Sequence, residues 1–153
     1  MFVAKNFFLS SGIGVDKNEL GSFDRALCSA GLGDYNLIKV SSIIPPNAVE
    51  SNCINCPQGS AVYVAFAKKM TTTEKVISSA VAVGLSNNSH DIGVIMEYSC
   101  FGNKKRAVSI AKELAEGALT RRGIYDYTII SKGVEAKGKK GLKTTTFASV
   151  ALF

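Results

Sequence analysis

Two consecutive prolines, Pro45 and Pro46, impose the strongest local constraint on how this chain folds. Proline lacks a backbone N–H, fixes φ and restricts the residue before it, so a regular strand cannot continue through the pair. An apolar, strand-like segment at residues 37–40 runs into a Ser-Ser pair at residues 41–42, just before the prolines. The sequence therefore predicts a strand over residues 34–40 that ends beside two serines, where the backbone is held in a defined shape.

The peptide bond between Ser41 and Ser42 has two possible interpretations. A bond held away from its relaxed geometry beside a hydroxyl nucleophile is a candidate for self-cleavage. Two serines that cap a strand before a proline-rich turn are common, however, and the spacing alone favours that structural role. The residue pattern leaves both interpretations open.

Length and composition predict a single globular domain over residues 1–153. Of the 153 residues, 46% are hydrophobic and 20% are charged, which is enough to bury a core. No apolar run reaches the length of a membrane span, and the N-terminus lacks the basic and apolar regions of a signal peptide. We therefore expect a cytoplasmic protein without a membrane partner.

The formal net charge of +6 raises the question of a nucleic-acid partner. Basic residues cluster at 104–106 and 137–143, but no aromatic residues interleave these clusters and the chain has no Trp. We therefore predict a solvated basic surface and no nucleic-acid partner. A basic nucleic-acid-binding module, which would show steep salt dependence, is the most distant alternative.

The cysteine pattern does not predict a metal site. Cys53 and Cys56 have half of a zinc-site spacing, but Cys28 and Cys100 stand far from them and His90 is the only histidine. We expect reduced thiols and no metal, and we assign no chemistry to the Cys53–Cys56 loop.

Hydrophobic periodicity predicts two helices and seven strands, which favours an α/β layered sandwich. Asn18 is the expected N-cap of the first helix, which ends near Ala30, and the second helix is expected at residues 104–122. The β-branched segment 76–85 is compatible with strand or helix, and we prefer strand. The predicted strands are 3–9, 34–40, 61–67, 76–85, 92–98, 125–133 and 144–152.

Five short motifs follow one another along the chain. They are GSFDRAL at 21–27, AGLGDYN at 30–36, SSIIPP at 41–46, GVIMEY at 93–98 and FASVAL at 147–152. In this order, and with four residues between Asn36 and Ser41, they resemble the pyruvoyl-dependent arginine decarboxylase family. The resemblance covers the chain from about Phe8 onward.

The resemblance implies a fold, an assembly and a processing event. The implied fold is a four-layer α/β/β/α sandwich of mainly antiparallel sheets with two main helices. The implied assembly is a homotrimer or a dimer of trimers. Each chain would cleave itself between Ser41 and Ser42 into a β subunit, residues 1–41, and an α subunit, residues 42–153.

The resemblance also implies a pyruvoyl cofactor derived from Ser42. The Ser42 hydroxyl would attack the Ser41 carbonyl to form an ester, β-elimination would leave dehydroalanine, and hydrolysis would release ammonia. The pyruvoyl ketone forms a Schiff base with the α-amine of an amino acid and accepts the electrons left by carbon dioxide, as pyridoxal phosphate does elsewhere. The implied reaction converts L-arginine to agmatine and carbon dioxide.

Glu97 is the candidate proton donor. Strand alternation places Glu97 on one face with Ile95, and Val94 and Met96 on the other. Because both faces are apolar, we expect the carboxyl to be at least partly buried, which raises its pKa and suits a general acid. The resemblance places Glu97 at the catalytic glutamate of the family.

Two further roles follow from the resemblance. Asp24 is implied to bind the distal cation of the substrate, since a carboxylate pairs with a guanidinium in a charge-assisted fork. From the residues alone, a solvent-facing ion pair with Arg25 or Lys17 is the favoured interpretation of Asp24. Asn36 is implied to hold the carbonyl of the cleaved bond and later the substrate.

The remaining implied substrate contacts are Gly33, Tyr35, Ser41 and Ile43. Tyr35 stands where the family has a small aliphatic residue, so a pocket of different shape is expected. A decarboxylase for another amino acid, histidine or lysine, is therefore one alternative. A ligand-binding relative that never cleaves is another.

Overall fold

The computed structural model describes all 153 residues and is built from two helices and nine strands. The helices are α1 (Glu19–Ser29) and α2 (Lys104–Thr120). The strands are β1 (Asn6–Asp16), β2 (Asn36–Lys39), β3 (Ile43–Ile44), β4 (Val49–Glu50), β5 (Ala61–Thr71), β6 (Val76–Ser86), β7 (Gly93–Phe101), β8 (Tyr127–Lys137) and β9 (Lys143–Leu152).

The strands form two sheets. The first sheet has five strands in the order β2-β5-β9-β1-β4, and the second has four in the order β3-β7-β6-β8. Neighbouring strands are antiparallel except for the β1–β4 and β2–β5 pairs, which are parallel. Consecutive strands β2 and β3 belong to different sheets, so the chain changes sheets between residues 39 and 43.

Three clusters of buried apolar side chains hold the elements together. One joins the two sheets and includes Phe7 and Val150 from the first sheet and Ile95 from the second. Another connects α1 to the first sheet through residues such as Ala26 and Phe147. The third joins α2 to the second sheet, and the buried residues of α2 are Ala107, Ala111, Ala115, Ala118 and Leu119.

Asparagine side chains cap the N-termini of both helices. The predicted N-cap of α1 is confirmed, since the Asn18 side chain accepts a hydrogen bond from the Gly21 N–H at 2.7 Å. Asn103 does the same for α2 by accepting from the Arg106 N–H at 2.9 Å. Each side chain satisfies a backbone donor that has no partner inside the helix.

The predicted first strand, residues 3–9, is wrong in its bounds, because β1 extends over Asn6–Asp16. The missed part contains Ser10, a buried residue whose hydroxyl shares a hydrogen bond with the Ser149 hydroxyl of β9 at 2.8 Å. Buried hydroxyls that satisfy each other interrupt the apolar pattern without interrupting the strand. Periodicity of apolar residues therefore cannot locate this half of β1.

The other predicted elements are confirmed with small changes in their bounds. The segment compatible with strand or helix is strand β6, Val76–Ser86. The strand expected at 34–40 is shorter, because β2 covers only Asn36–Lys39. Strands β3 and β4 have two residues each, too few to show a period in the sequence.

Two glycines of β1 let α1 pack directly on the strand. A Cβ atom at Gly12 would overlap the carbonyl oxygen of Ala26, and one at Gly14 would overlap that of Ser22. Both obstacles are helix backbone, which cannot rotate away as a side chain can. The close approach of α1 to β1 therefore requires residues without side chains at these positions.

We expect Gly14→Ala to lower the midpoint of thermal unfolding, because the added methyl group collides with the Ser22 carbonyl and displaces α1. Overpacking of this kind costs about 1–3 kcal/mol. Thermal unfolding followed by circular dichroism measures the change.

Gly117→Ala is the matched control for this substitution. Gly117 lies within α2, and a Cβ there would meet only the Arg121 guanidinium at 3.2 Å, which is the end of a flexible side chain. Since glycine in a helix interior is about 0.5–1 kcal/mol less stable than alanine, the control should gain stability. An equal loss of stability in both variants would contradict the role assigned to Gly14.

Candidate active site

The connection between β2 and β3 is held by both sheets. On one side, the Val40 N–H extends the pairing of β2 with β5 by donating to the Val64 carbonyl at 3.2 Å. On the other side, β3 pairs with β7. The Ser41–Ser42 peptide bond lies between these two attachments, so neither end of it moves independently of a sheet.

The backbone forms a tight turn at Ser42. The Ile43 N–H donates to the Ser41 carbonyl at 3.1 Å, an i to i+2 hydrogen bond that defines a γ-turn. Asn47 is the only residue other than glycine with a positive φ, so the turn at Ser42 is of the inverse type. The Ser42 carbonyl in turn accepts from the Ile95 N–H of β7 at 2.8 Å, which fixes the turn to the second sheet.

The Ser42 hydroxyl is paired with a carboxyl group. Its Oγ donates to Oε2 of Glu97 at 3.1 Å, although 55 residues separate the two in sequence. The predicted alternation along β7 is confirmed, since Ile95 is buried in the cluster between the sheets while Val94 and Met96 pack with α2. Glu97 is therefore on the inner face of β7, half-buried beneath the β2–β3 connection.

The environment of Glu97 suits it to proton transfer. Burial raises the pKa of the Glu97 carboxyl, and although the Ser42 hydrogen bond and the Lys39 ammonium both lower it, the pKa remains above its ordinary value. A carboxyl with a raised pKa accepts a proton more readily and also holds one closer to neutral pH. The Ser42–Glu97 pair therefore has the geometry of a hydroxyl nucleophile with its general base.

Lys39 is a contributor to the site that the sequence analysis does not identify. Its Nζ lies over the Phe66 ring, 4.7 Å from the ring centroid, and its positive charge acts on Glu97. The only signal in the sequence is its position two residues before Ser41. A lysine on a short strand is ordinarily a solvated surface residue, so this signal is weak.

Ser41 and Ile43 border an apolar cavity of about 410 Å³ beside the turn. Tyr63 and Phe2 also line this cavity, and their rings stack with centroids 5.0 Å apart. Ser41 and Ile43, which are both predicted to contact substrate, therefore lie beside this cavity and next to Ser42.

Asn36, Gly33 and Tyr35 lie together, but at the other end of β2. The Asn36 amide donates to the Gly59 carbonyl at 2.7 Å, and the Tyr35 hydroxyl donates to the Cys56 carbonyl at 3.3 Å. Gly33 and Tyr35 line a separate cavity of about 210 Å³. At about 3.3 Å per residue, the length of β2 separates this group from Ser42 within one chain.

Asp24 is exposed on α1, in a cavity that adjoins the one lined by Gly33 and Tyr35, since Cys28 lines both. The cavity at Asp24 has a volume of about 490 Å³ and also contains Asp16 and Arg25. The Arg25 Nε donates to Asp16 Oδ2 at 2.9 Å in the only salt bridge of the chain, and this hydrogen bond lowers the pKa of Asp16. Because Arg25 is paired with Asp16, the Asp24 carboxylate has no cationic partner in its own chain.

The remaining chemical groups are dispersed. All four cysteines are free, and no three His, Cys, Asp or Glu side chains lie close enough together to hold a metal ion. Neither helix has the length and apolar character that a membrane crossing requires.

The comparisons with known proteins agree on one family. A model of the family described as pyruvoyl-dependent arginine decarboxylase matches residues 6–153. A pyruvoyl-dependent arginine decarboxylase of Methanococcus vannielii is 36% identical over 124 residues, which cover 80% of this chain and 76% of the relative. Those of Methanococcus aeolicus and Methanocaldococcus jannaschii are 36% and 34% identical, each over 95% of this chain and 87% of the relative.

The matched region includes the Ser41–Ser42 bond, the turn at Ser42 and the Glu97 carboxyl that accepts its hydrogen bond. The match extends over nearly the whole chain, and several relatives exceed 30% identity over most of their length. The chain belongs to the pyruvoyl-dependent arginine decarboxylase family.

Proposed function

We propose that this protein is a pyruvoyl-dependent decarboxylase that converts L-arginine to agmatine and carbon dioxide after cleaving itself between Ser41 and Ser42. The observation that carries the proposal is the hydrogen bond from Ser42 Oγ to Glu97 at 3.1 Å, next to a bond held between two sheets. Family membership supplies the reaction type and the substrate.

The proposed self-cleavage uses groups that this chain holds in contact. Glu97 accepts the proton of the Ser42 hydroxyl while Oγ attacks the Ser41 carbonyl carbon, and the proton passes to the departing amide nitrogen. This leaves an ester between residues 41 and 42 with a free amine on residue 42. Loss of the α-proton of residue 42 then breaks the Cβ–Oγ bond and releases the Ser41 carboxylate. Water replaces the nitrogen of the resulting dehydroalanine as a ketone oxygen, and ammonia leaves.

The residues present fit the pyruvoyl group that this reaction would produce. The group would stay bonded to Ile43, and the Ile95 N–H, which binds the Ser42 carbonyl at 2.8 Å, is placed to hold it. When present, the pyruvoyl group supplies a carbonyl that binds the substrate amine and accepts the electrons left by carbon dioxide. Glu97 then holds the proton that replaces the carboxyl group on the substrate, and Asp24 binds the guanidinium.

The proposed arrangement of layers is the four-layer α/β/β/α sandwich. The shared apolar cluster joins the two sheets, whereas α1 and α2 pack with different sheets in separate clusters. These contacts support an order of helix, sheet, sheet, helix.

The proposed assembly is a trimer, alone or as a pair of trimers. Within one chain, Asp24, Tyr35 and Asn36 lie away from Ser42. A ring of three copies brings different patches of neighbouring subunits together. Such a ring lets the group around Asp24 and Asn36 of one subunit complete the site at Ser42 of the next.

We expect the purified chain to separate under denaturing conditions into fragments 1–41 and 42–153, with no free α-amine on the larger one. Ser42→Ala removes the attacking hydroxyl, so this variant should remain a single chain. Intact mass measured over time distinguishes the products. Ser51→Ala, which removes a hydroxyl bonded to the Cys53 carbonyl, is the control and should cleave normally. A wild-type chain that stays whole after long incubation would exclude the proposal.

We expect Glu97→Gln to slow cleavage by about 10²–10⁴-fold, because the amide cannot accept the Ser42 proton. Only the carboxylate is a base, and its pKa is raised, so it is protonated at a higher pH than an ordinary glutamate. Wild-type cleavage should therefore slow as pH falls through this raised pKa, whereas Glu97→Gln should lack that dependence. Time courses at a series of pH values measure both effects.

Glu50→Gln is the control for this experiment, since it removes a carboxylate from exposed strand β4. It should retain both the rate and the pH dependence of the wild type. If the pH dependence persisted in Glu97→Gln, another group would have to be the base.

We expect Asp24→Asn to raise KM for arginine by about 10–100-fold, the loss expected for one charge-assisted hydrogen-bonded pair. Cleavage between residues 41 and 42 should proceed normally, because Asp24 does not touch the bond. Glu19→Gln, which removes an exposed charge from the first turn of the same helix, should leave KM unchanged. An unchanged KM and ranking of amino acids in Asp24→Asn would refute the assignment of Asp24.

A further inference from the structure

Within one chain, the oxygen of the Ser41 carbonyl accepts one hydrogen bond, from the backbone N–H of Ile43 at 3.1 Å. Although Ile43 is paired with Val94 in β3–β7, its N–H is not used by the sheet and turns back to Ser41. The donor therefore lies within the chain segment that is to be cleaved, one residue beyond the bond.

The direction of this N–H is set by the second sheet. The Ser42 carbonyl and the Ile43 N–H belong to one planar trans peptide unit and point in opposite directions. The Ile95 N–H of β7 donates to the Ser42 carbonyl at 2.8 Å, which fixes the orientation of this peptide unit. The Ile43 N–H, on the opposite side of the same unit, is thereby directed toward Ser41. The donor is consequently preorganised before any reaction begins.

The attack of Ser42 Oγ places negative charge on the oxygen to which Ile43 donates. As Oγ bonds to the Ser41 carbonyl carbon, the electron pair of the C=O bond moves onto this oxygen. It returns when the C–N bond breaks and the amine leaves. A fixed donor aimed at an oxygen that gains charge lowers the barrier, because it needs no reorganisation during the reaction.

We propose that the backbone N–H of Ile43 is an oxyanion donor for cleavage of the Ser41–Ser42 bond. The inference rests on the proposed self-cleavage and adds a catalytic group to it. Glu97 removes the proton from the nucleophile, and the Ile43 N–H stabilises the oxygen on the other side of the same carbonyl. The two groups come from different elements, β7 and β3.

The test replaces a single backbone N–H by an ester oxygen. The chain is produced by cell-free translation with the α-hydroxy acid analogue of isoleucine at position 43, which keeps the side chain and removes the donor. The appearance of fragment 42–153 is followed by labelling methionine, since this fragment contains Met70 and Met96. Loss of one oxyanion donor should slow cleavage by about 10²–10³-fold.

One matched chain separates this effect from the loss of any backbone hydrogen bond. An ester at position 49 removes an N–H of β4 that donates to the Lys5 carbonyl at 2.9 Å, and it should leave the rate of cleavage nearly unchanged. Both esters are also made with Ser42→Ala, and equal melting temperatures of these uncleaved chains show that the fold is retained.

The outcomes distinguish the inference from the proposed function. Cleavage of the wild type together with an unchanged rate in the position-43 ester would overturn the inference while self-cleavage stands. Equal slowing by the esters at positions 43 and 49 would also overturn it, because the loss of any backbone hydrogen bond would then have the same effect. A wild-type chain that never cleaves would instead refute the proposed function itself.

Discussion

The short connection between the two sheets is the constraint on which the site depends. Its first end is bonded to β5 through the Val40 N–H, and its other end is bonded to β7 through the Ser42 carbonyl. Because the two sheets share an apolar cluster, they cannot separate to relax the residues between them. The Ser41–Ser42 bond is therefore held in one conformation, with the Ser42 hydroxyl in contact with Glu97.

The position of Glu97 allows one carboxyl group to serve two proton transfers in the proposed reactions. Burial raises its pKa, whereas the hydrogen bond from Ser42 favours the carboxylate and so opposes this shift. Proposed processing consumes the Ser42 hydroxyl, which removes that opposing contribution. Before processing, the hydrogen bond from Ser42 favours the carboxylate form of Glu97, which can accept a proton. After processing, this hydrogen bond no longer opposes the effect of burial, so the protonated form, which can donate a proton, is more favoured.

The distribution of polar groups over the surface supports an assembled active site. Ser42 and Glu97 lie at one end of β2, while Asn36 is bonded to the Gly59 carbonyl at the other end. Asp24 is exposed on α1 and has no cationic partner, because Arg25 is paired with Asp16. An unpaired carboxylate at an open cavity is suited to binding a cationic ligand. In the proposed trimer, this cavity of one subunit lies next to Ser42 of a neighbouring subunit.

The sequence by itself determined the elements whose signals are local. The Asn18 cap, the extent of α2 and the chain-breaking prolines each reflect interactions within a few residues. Ordered motifs also predicted the family and the candidate residues. Tertiary structure alone decided the contacts between distant segments: the Ser42–Glu97 pair, the charge of Lys39 near it and the use of the Ile95 N–H to fix the turn. These depend on how two sheets are stacked, and a one-dimensional pattern does not record which side chains such stacking brings together.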